Sequence, residues 1–271
     1  MPSSDPYPVV DTGHGRPLVL LHGWTCHGGH FAATVAALGD RFRTVVPDLR
    51  GHRHAHRPGE RPTIADLGAD LSALLETRDL DSAVLVGWSM GAMAAFTHLA
   101  AAGPAGLGGL VVVDMAPRIV NDGEWNLGVK RGLTAEQSDG IVALMQQDWP
   151  AYARAIVPGF FAADADPALI ERTTPDVVAN DPTAMASLWA SMADQDFRDL
   201  LPRLDLPALM LTGGASQVYA PETGDYVTAR LPRATRVVLE GVGHSPPLEA
   251  PGRFAEALAD FADSLPPACI V

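Results

Sequence analysis

Short, nearly continuous apolar runs recur along the chain at Leu18–Leu21, Thr44–Val46, Ala83–Val86, Leu110–Val113, Ala208–Leu211 and Arg236–Leu239. Runs that are continuous rather than alternating fit strands buried on both faces, as in a parallel sheet covered by helices. Between them the spacing changes to that of helices at about 28–39, 65–77, 90–102, 221–231 and 251–264. This alternation predicts a doubly wound, mostly parallel α/β sheet with right-handed crossovers. From Asp114 to Leu206 the strand signal stops. That block reads as helices and loops and holds Trp125, Trp149, Trp189, Phe160 and Phe161. Long insertions in compact domains are often functional. The expected organisation is therefore a core domain of residues 1–114 and 206–271 with a helical cap inserted at 115–205. The helices of the cap are expected to pack a small core of their own and to cover a pocket.

Composition narrows the classes. With 47% hydrophobic and 19% charged residues, the chain has ample material for a core. Lys+Arg number 19 against 32 Asp+Glu, a net charge of −13, so there is no basic face for nucleic acid. The segment Ala83–Val113 lacks Asp, Glu, Lys and Arg, but its glycines and Pro104 break it into strand, turn, helix and strand rather than a membrane span. Met1–Asp5 has neither a basic nor an apolar run, so no signal peptide is expected. Cys26 and Cys269 stand at opposite ends and build no disulfide framework, which fits a reducing cytoplasm. The expected partner is a small-molecule substrate, not nucleic acid or membrane, with the chain a monomer or homodimer.

Three segments carry chemistry. Gly87-Trp88-Ser89-Met90-Gly91 follows one predicted strand and opens one predicted helix. In that context flanking glycines allow a tight, strained turn that lifts Ser89 free at the carboxyl end of the sheet. The helix starting at Met90 aims its positive end at a developing oxyanion. His22-Gly23-Trp24 ends the strand Leu18–Leu21, where a second amide donor belongs, so the N–H groups of Trp24 and Met90 form the expected oxyanion pair. Gly241-Val242-Gly243-His244-Ser245 follows the last predicted strand. Of the nine histidines, His244 is the one on a strand-end loop late in the chain, where the base belongs.

With these motifs the sequence resembles the α/β-hydrolase superfamily over nearly its whole length, from Val9 to Leu265. Asp48-Leu49-Arg50-Gly51 looks like that superfamily's Asp-x-Arg-Gly loop, and Glu249-Ala250-Pro251 its Glu-x-Pro segment before the final helix. The resemblance implies the fold strongly and the substrate hardly at all. Two departures matter. After Gly51 the chain runs His52-Arg53-His54-Ala55-His56, whose alternate histidines invite a metal but lack a completing Cys or carboxylate nearby. A solvated loop at the pocket rim is expected instead, with no metal and no cofactor. The turn where the superfamily most often carries its triad acid is Gly214-Ala215-Ser216-Gln217, without a carboxylate. Asp114, ending the strand after the elbow helix, takes that role, as in haloalkane dehalogenases and cofactor-free ring-cleaving dioxygenases of the superfamily.

The reading that follows is a serine hydrolase for an ester, lactone or thioester of an apolar or ring-containing small molecule. Ser89 is the nucleophile, His244 the base and Asp114 its orienting acid. His22, Trp88, Trp125, Trp149, Phe160 and Trp189 are the expected pocket residues. The alternative is a cofactor-independent dioxygenase or lyase using His244 and Asp114 as the base. Ser89 in place of Asp at the elbow argues against a dehalogenase.

Overall fold

The computed structural model describes residues 7–266; Met1–Asp5 and Cys269 lie outside the described residues. Seven strands form one sheet in the order β1-β3-β2-β4-β5-β6-β7: β1 (Val9–Thr12), β2 (Pro17–Leu21), β3 (Arg43–Pro47), β4 (Ala83–Trp88), β5 (Leu107–Val113), β6 (Ala208–Gly213) and β7 (Ala234–Leu239). All pairings are parallel except β1 with β3. β1 carries no apolar run. Its residues alternate between half-buried and exposed, as suits an edge strand held by side chains. Asp11 on it receives Arg43 Nη2 at 2.8 Å and Arg78 Nη1 at 2.7 Å.

The central strands are buried on both faces, and consecutive residues divide between two core layers. Val19, Leu21, Leu85, Leu110 and Val112 face α2 (Ile64–Thr77) and α3 (Met90–Ala102). Leu18, Leu20, Val84, Val86, Val111 and Val113 face α1 (Ala32–Leu38) and the C-terminal helix Pro251–Ser264. This explains why the strands read as unbroken apolar runs. Local signals set the helix starts. Thr63 Oγ1 accepts the Asp66 N–H at 3.2 Å while Asp66 accepts the Thr63 N–H at 2.8 Å, a reciprocal cap that begins α2.

Between β5 and β6 the described chain forms α4 (Ala135–Gln147), α5 (Trp149–Ile156), α6 (Pro167–Val178) and α7 (Pro182–Ala193), with no strand among its described residues. These helices pack on one another, α4 against α7 and α5 against α6, and their apolar residues are continuous with the core of the sheet. Met145, Trp149, Met185 and Leu188 belong to the same apolar layer as Leu21 and Leu85. The block is thus fastened onto the α2/α3 side of the sheet. β3 and β4 lie on opposite sides of β2, so the winding reverses between β2 and β4, and a crevice opens at their carboxyl ends.

Candidate active site

Ser89 sits on the β4-to-α3 turn with φ 52° and ψ −119°, a left-handed conformation that non-glycine residues rarely adopt. Packing enforces it. A Cβ on Gly87 would stand 2.4 Å from Ala92 Cα, and one on Gly91 2.2 Å from the Leu21 carbonyl oxygen. Only glycine lets strand, turn and helix approach this closely. The Ser89 N–H donates to Val113 O of the neighbouring strand at 3.0 Å, which ties the elbow to β5. Ser89 is half-buried, while Met90, first residue of α3, is fully buried. An N–H at the first helical position has no partner within the helix.

Asp114 directly follows β5, also at positive φ (44°), and its N–H donates to Leu211 O at 2.8 Å. Its carboxylate is buried. Oδ2 lies 2.7 Å from His244 Nδ1 and accepts the Ser216 hydroxyl at 2.7 Å; Oδ1 faces the Gly213 N–H at 3.3 Å. His244, on the loop after β7, is likewise buried, and its carbonyl accepts the Trp88 indole N–H at 2.7 Å. Ser216 is a site residue that the sequence hardly marks: it lies one position before Gln217, and its signal is a hydroxyl in a turn without a carboxylate.

Ser89, His244 and the Gly23–Trp24 segment border one cavity of about 330 Å³ between the sheet and the helical block. Its walls include Trp24, Met115, Ile119, Tyr152, Phe160 and Trp189, and no Asp, Glu, Lys or Arg is among the lining residues. Burial raises the Tyr152 hydroxyl to about 12 and pushes the Tyr219 hydroxyl higher still. Both stay neutral, and Tyr219 Oη lies 3.1 Å from Met115 Sδ. Neither tyrosine was singled out in the sequence, where nothing distinguished them from core aromatics.

The expected pocket residues divide. Trp88, Phe160 and Trp189 border the cavity; Trp189 tilts over Trp24 with ring centroids 5.1 Å apart. Trp149 stands behind the wall, edge-on to Trp24 at 6.2 Å, its indole N–H on Val178 O. Trp125 packs against Tyr226 and Arg198, away from the cavity, and its N–H donates to Arg118 O at 3.0 Å. His22 is fully buried and does not line the cavity. Its Nε2 accepts the Leu49 N–H at 2.9 Å, and burial depresses its pKa far below the ordinary value, so it serves as a neutral brace.

The loop after Gly51 also departs from expectation. His52 is not solvated: it is fully buried, accepts the Thr25 N–H at 3.2 Å, and has its pKa lowered by burial to about 4. His54 is exposed. The group among the described residues with metal-ligand spacing is a different one, His27, His30 and Asp176. There Arg53 donates to Asp176 Oδ1 at 2.8 Å and lies 3.0 Å from His27 Nε2, so a guanidinium already supplies the positive charge. Among the described residues no helix is long and apolar enough to cross a membrane.

A strained serine between a parallel strand and a helix, at the reversal of the sheet, with a histidine–carboxylate pair on later strand ends, defines a class. Residues 18–257 match the alpha/beta hydrolase family, and the chain belongs to it. Among curated relatives it is 31% identical over 263 residues to a pimeloyl-[acyl-carrier protein] methyl ester esterase of Xanthomonas campestris pv. campestris, covering 94% of this chain and 98% of that protein. Among solved structures, a thermophilic esterase from Thermogutta terrifontis superposes with a TM-score of 0.82 at 27% identity, covering 94% and 92% of the two chains. An esterase from Exiguobacterium antarcticum shares the fold, with a TM-score of 0.87 at 24% identity over 94% and 95%. Relatives of this kind support an ester-cleaving enzyme.

Proposed function

We propose that this chain is a serine hydrolase acting through an acyl-enzyme on an ester, lactone or thioester of an apolar or ring-containing small molecule. The observation that carries this reading is the buried His244 Nδ1–Asp114 Oδ2 contact of 2.7 Å, at the wall of the cavity that Ser89 enters. With Asp114 accepting from Nδ1–H, Nε2 keeps its lone pair and takes the Ser89 proton as Oγ attacks the acyl carbon. The Trp24 and Met90 N–H groups hold the oxyanion, and His244 returns the proton to the leaving oxygen. Water, activated by the same imidazole, then releases the acid.

Wall chemistry supports the substrate class. Moving an ion into a cavity without a charged partner costs several kcal/mol or more, on the order of the whole stability of a domain. With no Asp, Glu, Lys or Arg side chain on its walls, this cavity favours a neutral acyl group. Its 330 Å³ lies at the small end of the range for ligand pockets, about 300–1,000 Å³. The Xanthomonas relative is named for the methyl ester of a pimeloyl-[acyl-carrier protein], so methyl esters are the first substrates to assay.

The Ser89→Ala variant tests the mechanism. It is expected to fold and to lose nearly all ester turnover and all labelling by a fluorophosphonate, leaving the residual rate that binding and the oxyanion donors supply. Retained turnover would refute the acyl-enzyme and favour base catalysis by His244 and Asp114. Oxygen uptake with a hydroxyquinolone-type substrate would then measure the dioxygenase alternative directly.

A further inference from the structure

We propose that Glu249 is a positioning residue for this reaction, one carboxylate that sets both the base His244 and the aromatic roof of the cavity. The proposal rests on the reading of His244 as the base. Glu249 closes the short helical turn Pro246–Glu249 that follows the histidine loop. Its side chain folds back over that loop. Oε2 accepts the Gly243 N–H at 2.9 Å and Oε1 the Ser245 N–H at 3.0 Å, so the main chain is gripped on both sides of His244. The same Oε2 accepts the Ala162 N–H at 2.9 Å, from the helical block 87 positions earlier in the chain.

A glutamate capping the first amides of its own turn is an ordinary local device. Local capping does not account for Ala162, whose neighbours carry the rest of the inference. Ser245 Oγ donates to Phe160 O at 2.8 Å, and Gln217 Nε2 donates to Phe161 O at 2.9 Å. Three consecutive residues, Phe160 to Ala162, are thus each bound by a side chain from the loops after β6 and β7. There is no room between the two backbones: a Cβ on Gly243 would lie 2.2 Å from Ala162 N and 2.4 Å from Phe161 C. Phe160 itself lines the cavity, with its ring 6.4 Å from the His244 imidazole. The Trp88 indole holds the His244 carbonyl from the other side. A shift of the Glu249 carboxylate therefore moves the base and the roof together, and a displacement of about 1 Å in a reacting group costs up to roughly 100-fold in rate.

The carboxylate is the group this arrangement requires. Three N–H donors converge on two oxygens, and an amide in its place offers one oxygen and an NH₂. In Glu249→Gln the NH₂ must face either Ser245 N–H or the Gly243 and Ala162 pair, donor against donor. Glu249→Asp keeps the charge but is one methylene too short to reach all three.

The experiment compares wild type, Glu249→Gln and Glu249→Asp by melting temperature, by kcat and KM on p-nitrophenyl esters of increasing acyl length, and by the rate of Ser89 inactivation with a fluorophosphonate. The pH profile of kcat/KM reports the free-enzyme base. Expected are folded variants whose kcat and inactivation rate per folded molecule fall roughly 10- to 100-fold. Their acid limb should be displaced, and the KM penalty should grow with acyl length, with Asp recovering part of the kcat loss. Wild-type kcat per folded molecule with an unmoved acid limb would overturn the proposal, as would failure of both variants to fold, since that is the signature of an anchor alone. Failure of wild type to react with the fluorophosphonate would instead refute the serine mechanism itself, before Glu249 is considered.

Discussion

Replacing Asp114 by Asn probes the candidate triad where the structure says most about the outcome. Asn tolerates the left-handed backbone that Asp114 adopts (φ 44°), so the fold should survive. The orientation of the new amide is decided by its neighbours. If its oxygen replaced Oδ2, its NH₂ would point at the Gly213 N–H, which lies 3.3 Å from Oδ1. Two donors face to face are repulsive, whereas the Ser216 hydroxyl, 2.7 Å from Oδ2, can rotate to accept. The amide should therefore turn its NH₂ toward His244 Nδ1. That forces Nδ1 to accept, places the ring proton on Nε2, and leaves the imidazole unable to take the Ser89 proton. Loss of the anion behind the imidazolium adds to this. The expected fall in kcat is on the order of 10⁴, the size of this change in other triads, or about 5.5 kcal/mol of activation free energy. Turnover of a p-nitrophenyl ester measures it, with circular dichroism and melting temperature establishing the fold. A loss under about tenfold in a well-folded variant would refute Asp114 as the orienting acid.

The helical block yields a contrast between two tryptophans. Trp189→Ala, on the cavity wall, should change acyl preference and KM, whereas Trp125→Ala, packed on Tyr226 and Arg198, should leave KM alone and cost about 3–5 kcal/mol of stability in chemical denaturation. An acyl-length profile altered by Trp125→Ala would contradict its placement. Acid stability follows from the buried histidines. His52 is lowered by burial from its ordinary 6.5 to about 4, and His22 is lowered well below 6.5. The unfolded chain therefore binds more protons below about pH 6.5. Their contribution to stability is complete above that pH and is lost as pH falls toward 4, by up to about 1.4 kcal/mol per pH unit for each histidine. Unfolding free energies that stay level between about pH 7 and about pH 4.5 would show that neither ring is held neutral.

What the sequence determined was local. Buried parallel strands need nearly continuous apolar runs, and helices need caps and a 3.6-residue period, so β2 to β6 and the longer helices outside the insertion are legible within a few residues, while the half-exposed β7 is legible only through Val237, Val238 and Leu239. The elbow was legible because Gly87, Ser89 and Gly91 carry its turn chemistry in five consecutive positions. β1 was not, since an edge strand fastened by Asp11, Arg43 and Arg78 leaves no apolar signature. Asp114 is legible as an acid at a strand end, but the Ser216 and Gly213 contacts that orient it join residues about a hundred positions apart. The same is true of Glu249 and Ala162. Trp125, Trp149 and Trp189 are alike in sequence and differ in place, because which parts of the block between β5 and β6 meet the cavity depends on how it settles on the α2/α3 layer. His22 reads as a pocket residue and His52 as part of a solvated loop, and both fold as braces. A histidine's role is fixed by whether its two nitrogens are left for substrate or consumed by the main chain, and only the tertiary structure brings Leu49 and Thr25 to those rings.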